Sequence, residues 1–397
     1  MDASGGQAPV REPLARAGVS AWEWMRALAE EIGPRRPGSR AERVAVEWLR
    51  ARLAEAGLEA RAEAFDAYAT FAEPHAVILG LGVAPGLLPR RFRRARAALG
   101  GLAVLLGLSE DSLRFTPLGD ALRRLPSRNL VAAVEPAGAA RRTLCLVAHV
   151  DSSRSGLIFH PRLAPGLRGL LGAVSAALAV QALEPLAGRW RAGRVAARLA
   201  RGVLALGLLL LAEREIRGED VPGANDNASG AAVSAALAAE VAARPLATTR
   251  LVLLVTGCEE AGTLGMRSFL DRHDTRDWLF LNFDGVAAPA TLRYLPHEGV
   301  ARRWAADPGL LALAERIASE RPELGLRRAE RVAGLTYDAT PVLARGGRAL
   351  TLSAQDGTIP NYHWPSDTAE NADPGVMRRA LEAGRALIAA IDRGDAD

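Results

Sequence analysis

Acids and imidazoles follow apolar runs at four places in this chain. TLCLVAH ends on His149, with Asp151 two residues later, and LVLLVTGC precedes the adjacent acids Glu259 and Glu260. WLFLNF precedes Asp284, and ALTLSA leads through QDGTIPNY to His363. Between the first two runs, PGANDNASGAA sets Asp226 at the start of a small-residue stretch. Short apolar runs of this kind read as buried strands, and ligands of α/β sheets bind beyond the carboxyl ends of strands. Singly, each residue has an ordinary explanation. An Asp-Asn-Ala-Ser run caps a helix, an Asp before Gly makes a turn, and a lone His sits on a surface. Their recurrence after one apolar signature points instead to a common site.

The chemistry follows from the charges. Glu259 and Glu260 repel each other and lose hydration at the end of a core strand, and the next arginine is Arg267. Uncompensated, that costs several kcal/mol. Two His and three Asp or Glu, one of them bridging, form two sites with mixed nitrogen and oxygen donors, which suits zinc. A pair of dications about 3.5–4 Å apart neutralises such a cluster. One of the adjacent glutamates then serves as a ligand while its neighbour accepts a proton from the attacking water.

The elements that must position these groups alternate. Helices are expected over AWEWMRALAEEIG and SRAERVAVEWLRARLAEAG, each closing on Gly, and a strand over LEARAEAFDAY. Further on come strands ending at His149 and at Thr256, a helix after Asn227, and the strand before Asp284. Helices near 308–320, 337–345 and 374–392 and the strand ALTLSA complete the set. Strands apolar on both faces predict an α/β fold with a mostly parallel mixed sheet sandwiched by helices. A single catalytic domain is expected over 17–397, carrying inserted apolar helical hairpins at 75–109 and 165–213.

Both hairpins have basic tips, around Arg90–Arg96 and Gly188–Arg194. Most of their apolar pieces are shorter than the roughly 20 residues a spanning helix needs. Membrane contact is expected, by shallow insertion with arginines on anionic headgroups and the catalytic domain on the cytoplasmic side. An enlarged core or a dimer interface are the other readings. The first thirty residues hold no apolar run of signal-peptide length. A net charge of +5 is carried by scattered arginines with no aromatic-interleaved basic face, so no nucleic-acid partner is expected. Cys145 and Cys258 lie within apolar runs and read as buried thiols, and oligomeric state is not legible. His75, His273 and His297 read as background; His160 could approach the cleft, and Asp338 and Asp367 either orient ligands or cap helices.

In order, AHVDSS, PGANDNASGAA, GCEEAG, NFDG and NYHWPSDT resemble the M28 family of di-zinc metallopeptidases, which includes many aminopeptidases. EEIGPRRPGSRAERVAVEWLRARLAEAGLEA is similar to that family's N-terminal segment, so the resemblance spans nearly all the chain outside the insertions. It implies a zinc-exopeptidase fold, a peptide substrate and two Zn2+. Asp226 would bridge the ions, with His149 and Asp284 completing one site and Glu260 and His363 the other. Glu259 would be the general base, Asp151 would fix the His149 imidazole, and Tyr362 would help stabilise the oxyanion. The Asp226–Asn227 peptide bond would be cis. The second hairpin lengthens the gap between Asp151 and Asp226, which anchors it beside the metals, either as a roof or as a route for membrane-embedded peptides. The same fold also carries glutaminyl cyclases, which work with one zinc, and non-catalytic scaffolds that lack ligands; here every ligand position is filled.

Overall fold

In a computed structural model, residues 20–187, 190–300 and 302–396 are described. The first three residues of the expected catalytic domain, Gly188 and Arg189 of the second basic tip, and most of the segment read for a signal lie outside them.

The chain opens with α1 (Ala21–Arg26), prolonged by a wider turn to Ile32, and α2 (Arg40–Glu55). Ser20 and Ser39 cap them by accepting the amides of Glu23 and Glu42, and Gly33 ends the first with φ 79°. Strand β1 (Ala60–Ala67) follows, then α3 (Ala72–Val83), α4 (Arg93–Glu110), α5 (Pro117–Leu122), β2 (Leu125–Val134) and β3 (Arg142–His149). Next come α6 (Leu167–Ala187), α7 (Arg191–Arg217), α8 (Gly230–Ala243), β4 (Thr249–Thr256), α9 (Leu264–Arg272) and β5 (Trp278–Phe283). The remainder is β6 (Leu292–Tyr294), β7 (His297–Glu298), β8 (Trp304–Ala305), α10 (Pro308–Glu320), β9 (Arg327–Arg328), α11 (Ala339–Ala344), β10 (Arg348–Ala354) and α12 (Pro374–Arg393).

Eight strands form one sheet in the order β1-β2-β4-β3-β5-β10-β6-β9. The four at its centre, β4, β3, β5 and β10, run parallel, so their carboxyl ends line up on one edge. Alternate side chains divide between two cores, as a two-residue period requires. Leu144, Leu146, Leu253, Leu281 and Phe283 pack under α1, α8 and α12 on one face. Cys145, Val147, Leu254 and Phe280 meet Met266, Phe269 and Val342 of α9 and α11 on the other. Both cysteines are buried and free. Ala and Gly dominate α8, which lets its backbone lie close to the sheet; a Cβ on Gly230 would collide with the Phe283 carbonyl.

The two expected hairpins join into one unit. Helices α3, α4, α6 and α7 pack around a shared interior of Ile78, Leu79, Ala103, Ala177, Leu178, Ala200, Leu204 and Leu211. A buried pair, Arg96 with Glu184 at 2.8 Å, ties α4 to α6 near the tips. The bundle's outer surface is also apolar: Leu105 and Leu108 on α4, Leu186 on α6 and Leu199 and Leu209 on α7 are all more than 60% exposed. The segments Ala164–Glu184 and Arg191–Arg217 are long and apolar enough to cross a membrane.

Candidate metal centre

His149 is the last residue of β3, and its Nδ1 donates to the backbone carbonyl of Asp151 at 3.1 Å. Its other ring nitrogen, Nε2, faces Asp226 Oδ1 at 3.3 Å and Asp284 Oδ2 at 3.5 Å. The carboxylate of Asp151 lies farther from the imidazole, at 3.6 Å. It accepts instead from the amides of Glu259 at 3.1 Å and Glu260 at 3.0 Å, holding the turn that carries both acids. That turn leaves β4 through Cys258 at φ 52°, a conformation few non-glycine residues adopt. Glu42 steadies it by accepting the Cys258 amide at 2.8 Å.

Asp226 sits in the loop before α8, and the Asp226–Asn227 peptide bond is cis. Asp367 accepts the amides of Asn225 at 2.8 Å and Asp226 at 3.0 Å. Asn227 accepts from the amides of Gly230 and Gly285 and donates to the Phe283 carbonyl, binding this loop to the end of β5 beside Asp284. On the other side, His363 Nε2 lies 3.4 Å from Asp226 Oδ2 and 3.0 Å from Glu260 Oε2. His363 has φ 50°, Tyr362 stacks on its ring at 3.7 Å between centroids, and the edge of Phe159 meets it at 4.4 Å.

Asp226 thus offers one oxygen to each histidine, and the five residues form two triads that share it. Donors about 2.0–2.2 Å from one tetrahedral zinc stand roughly 3.4 Å apart, the spacing found here. Two buried atoms of the ligand set, Glu260 Oε1 and His363 Nδ1, have no hydrogen-bond partner among the described residues. The donor set and spacing fit a pair of divalent ions.

Electrostatics agree with that fit. Burial pushes Glu259 well above the usual carboxylate range, and it raises Asp284 to about 6 and Asp338 and Asp367 to about 7. Burial acts the same way on Asp226, but hydrogen bonds from His149 and His363 outweigh it and hold that carboxyl low. A buried excess of acids is stable when a cation faces it.

Arg35 supplies part of that charge from behind. Fully buried, it aims its guanidinium at five carbonyl oxygens, of Val150, Leu28, Gly33, Pro222 and Gly223, at 2.7–2.9 Å. It therefore clamps the loop after His149 to the loop before Asp226. Burial lowers it to about 10, against the opposing pull of Asp367, Asp151 and Asp226. Sequence reading passed over Arg35 and Glu42, although the Ser39-x-x-Glu42 spacing of a capping box marks the latter. Of the residues left open, Asp367 touches the Asp226 loop, and Asp338 accepts from the Thr256 hydroxyl at 2.5 Å. His160 packs edge-on against Trp364, next to His363. His75, read as background, lines the cleft in front of Glu259 and Glu260.

The Peptidase family M28 model matches residues 211–388, a stretch that contains Asp226, Glu259, Glu260, Asp284 and His363. Over that stretch the chain is similar to peptidase family M28. The likeness of fold extends beyond the M28 match. A zinc aminopeptidase from Bacillus subtilis superposes with a TM-score of 0.55 at 13% identity, over 93% of each chain. An aminopeptidase from Aneurinibacillus sp. strain AM-1 gives 0.54 at 14% identity, over 93% of this chain and 92% of that one. A glutaminyl cyclase from Porphyromonas gingivalis gives 0.54 at 16% identity, over 95% and 99%. No curated protein matches in sequence. The M28 relationship supports a zinc-dependent metallopeptidase with a peptide substrate.

Proposed function

We propose that this chain is a zinc aminopeptidase in which His149, Asp226 and Asp284 hold one ion and Asp226, Glu260 and His363 the other. The observation that carries the reading is Asp226, whose two carboxylate oxygens face different histidines while Glu259 stands beside Glu260 in the wall of an open cleft. When bound, zinc polarises the scissile carbonyl and brings water ionisation near neutral pH.

The remaining steps belong to the side chains. Glu259 takes the proton of the attacking water and delivers it to the leaving amine, a task that suits a carboxyl whose proton affinity burial has raised. Asp151 grips the amides on either side of this work, so that base and ligand keep a fixed relation. Tyr362, half-buried and stacked on His363, donates to the developing oxyanion in this reading, and Phe159, edge-on to Tyr362, keeps water from that side. A fluorogenic panel of aminoacyl amides, with and without chelator, tests the reading. Chelator-sensitive release from free-amino substrates supports it. Formation of pyroglutamate from N-terminal glutamine in place of hydrolysis would move the assignment to a cyclase.

The helical bundle gives the enzyme a membrane surface in this reading. Its exposed leucines meet acyl chains, and Arg90, Arg91, Arg93 and Arg94 at the α3–α4 tip meet anionic headgroups on the cytoplasmic side. Co-flotation with anionic vesicles supports this contact. Recovery of all the protein in the soluble fraction, without detergent, rules it out.

A further inference from the structure

The cleft in front of Glu259 and Glu260 does not stop at the metal centre. It measures about 260 Å³ and continues between the helices of the inserted bundle, with walls from Ile78 on α3, Gly107 on α4, Val174 and Leu178 on α6 and Leu211 on α7. Tyr362 and His363 line it together with Leu171 and Val174 of α6. Glycines keep it narrow and open. A Cβ on Gly107 would touch Ile78 and Leu178 at 3.6 Å, and one on Gly207 would press Leu79 at 3.1 Å.

Between the bundle helices this slot offers little to a peptide backbone. Its walls there are helices whose amides and carbonyls are committed to their own hydrogen bonds. Several polar side chains along it are engaged as well: His75 with the Phe71 carbonyl and Asp111, Glu110 with the amides of Leu118 and Gly119, and Ser175 with the Leu171 carbonyl. A main chain drawn in would lose its hydrogen bonds to water without replacement. A methylene chain has none to lose. The outer faces of the same helices carry exposed leucines, so the slot adjoins a surface suited to the phase in which such chains reside.

We propose that the bundle slot binds a long unbranched alkyl chain and that the metal centre cleaves the amide this chain carries. The inference rests on amide hydrolysis at the proposed site and adds a substrate class, N-fatty-acyl amines and peptides. One water adds across the C–N bond: its oxygen bonds to the acyl carbon, the C–N bond breaks, and the products are the fatty acid and the free amine. Glu259 carries the proton from water to the departing nitrogen. No other reactant is needed.

The full chain, zinc-loaded in nanodiscs, is assayed on acetyl, octanoyl and dodecanoyl amides of aminomethylcoumarin beside the leucyl amide. Each buried methylene raises affinity roughly threefold to fourfold, so kcat/KM is expected to rise more than tenfold from acetyl to octanoyl. Val174→Phe narrows the slot and should lower the octanoyl rate at least tenfold more than the leucyl rate. Leu171→Ala widens it and should move the preferred chain to greater length. Titration with dansylaminoundecanoic acid, with and without zinc, reads the slot independently of catalysis: wild type binds, and Val174→Phe binds at least tenfold more weakly. Leucyl hydrolysis with a flat acyl series overturns this inference and leaves the peptidase reading standing. Probe binding with no hydrolysis of any amide overturns the activity, and displacement of the probe by an apolar helical peptide but not by octanoate assigns the slot to peptide. Absence of both binding and hydrolysis overturns both readings.

Discussion

Asp367 stands directly behind Asp226, with its Oδ2 accepting the Asp226 amide at 3.0 Å. The loop that carries the shared carboxylate is therefore pinned by a buried acid that is not among the proposed ligands. Asp367→Ala should weaken zinc retention by about 10–100-fold, the range typical when a ligand's supporting partner is lost. Competition against a chelator of known affinity measures it, and wild-type affinity in the variant would remove Asp367 from this role.

Glu259 is assigned to proton transfer and not to metal binding. Glu259→Ala should keep the wild-type zinc content and lower kcat by about 10²–10⁴-fold. Loss of zinc together with activity would make Glu259 a ligand, and hydrolysis at the wild-type rate would make another group the base.

The Arg35 guanidinium joins the loops after β3 and before α8 through their carbonyl oxygens. Arg35→Met strands those acceptors in the interior and should cost about 3 kcal/mol or more in chemical denaturation. Arg35→Lys, with three donors in place of five, should recover only part of the loss. Full stability in Arg35→Met would show that the clamp is dispensable.

Glu298 lies buried behind the site, donated to by the Thr340 hydroxyl at 2.8 Å, and burial raises it from 4.5 to about 7. Its folded form binds a proton more tightly than its unfolded form. The stabilisation is therefore complete below pH 4.5 and is lost as pH rises to 7. Over that window wild type should lose about 1.4 kcal/mol per pH unit relative to Glu298→Gln. Parallel stability curves for the two proteins would contradict the shift.

The strands and their terminal acids were legible because burial on both faces writes an apolar run, and each chemical residue then follows a recognisable boundary, as at His149, Glu259 and Asp284. The two- and three-residue strands β6 to β9 write no period and were not legible. Nor was the union of the hairpins: Arg96 and Glu184 pair across 88 positions, and nothing local to either announces it. Arg35 was invisible for a different reason. Every basic residue in the chain is arginine, so the one that enters the core carries no distinguishing mark. The division of labour in Asp151, backbone to His149 and carboxylate to Glu259 and Glu260, depends on which atoms face inward, which the order of residues does not encode.

The central claim is that one carboxylate serves two ions. Zinc content by mass spectrometry, on wild type and on Asp226→Ala purified side by side, tests it most directly. Two zinc ions per chain in wild type, and loss of both in the variant with the fold retained by circular dichroism, are the predicted results. A wild-type protein that holds no zinc, or a variant that keeps the full complement, contradicts the account.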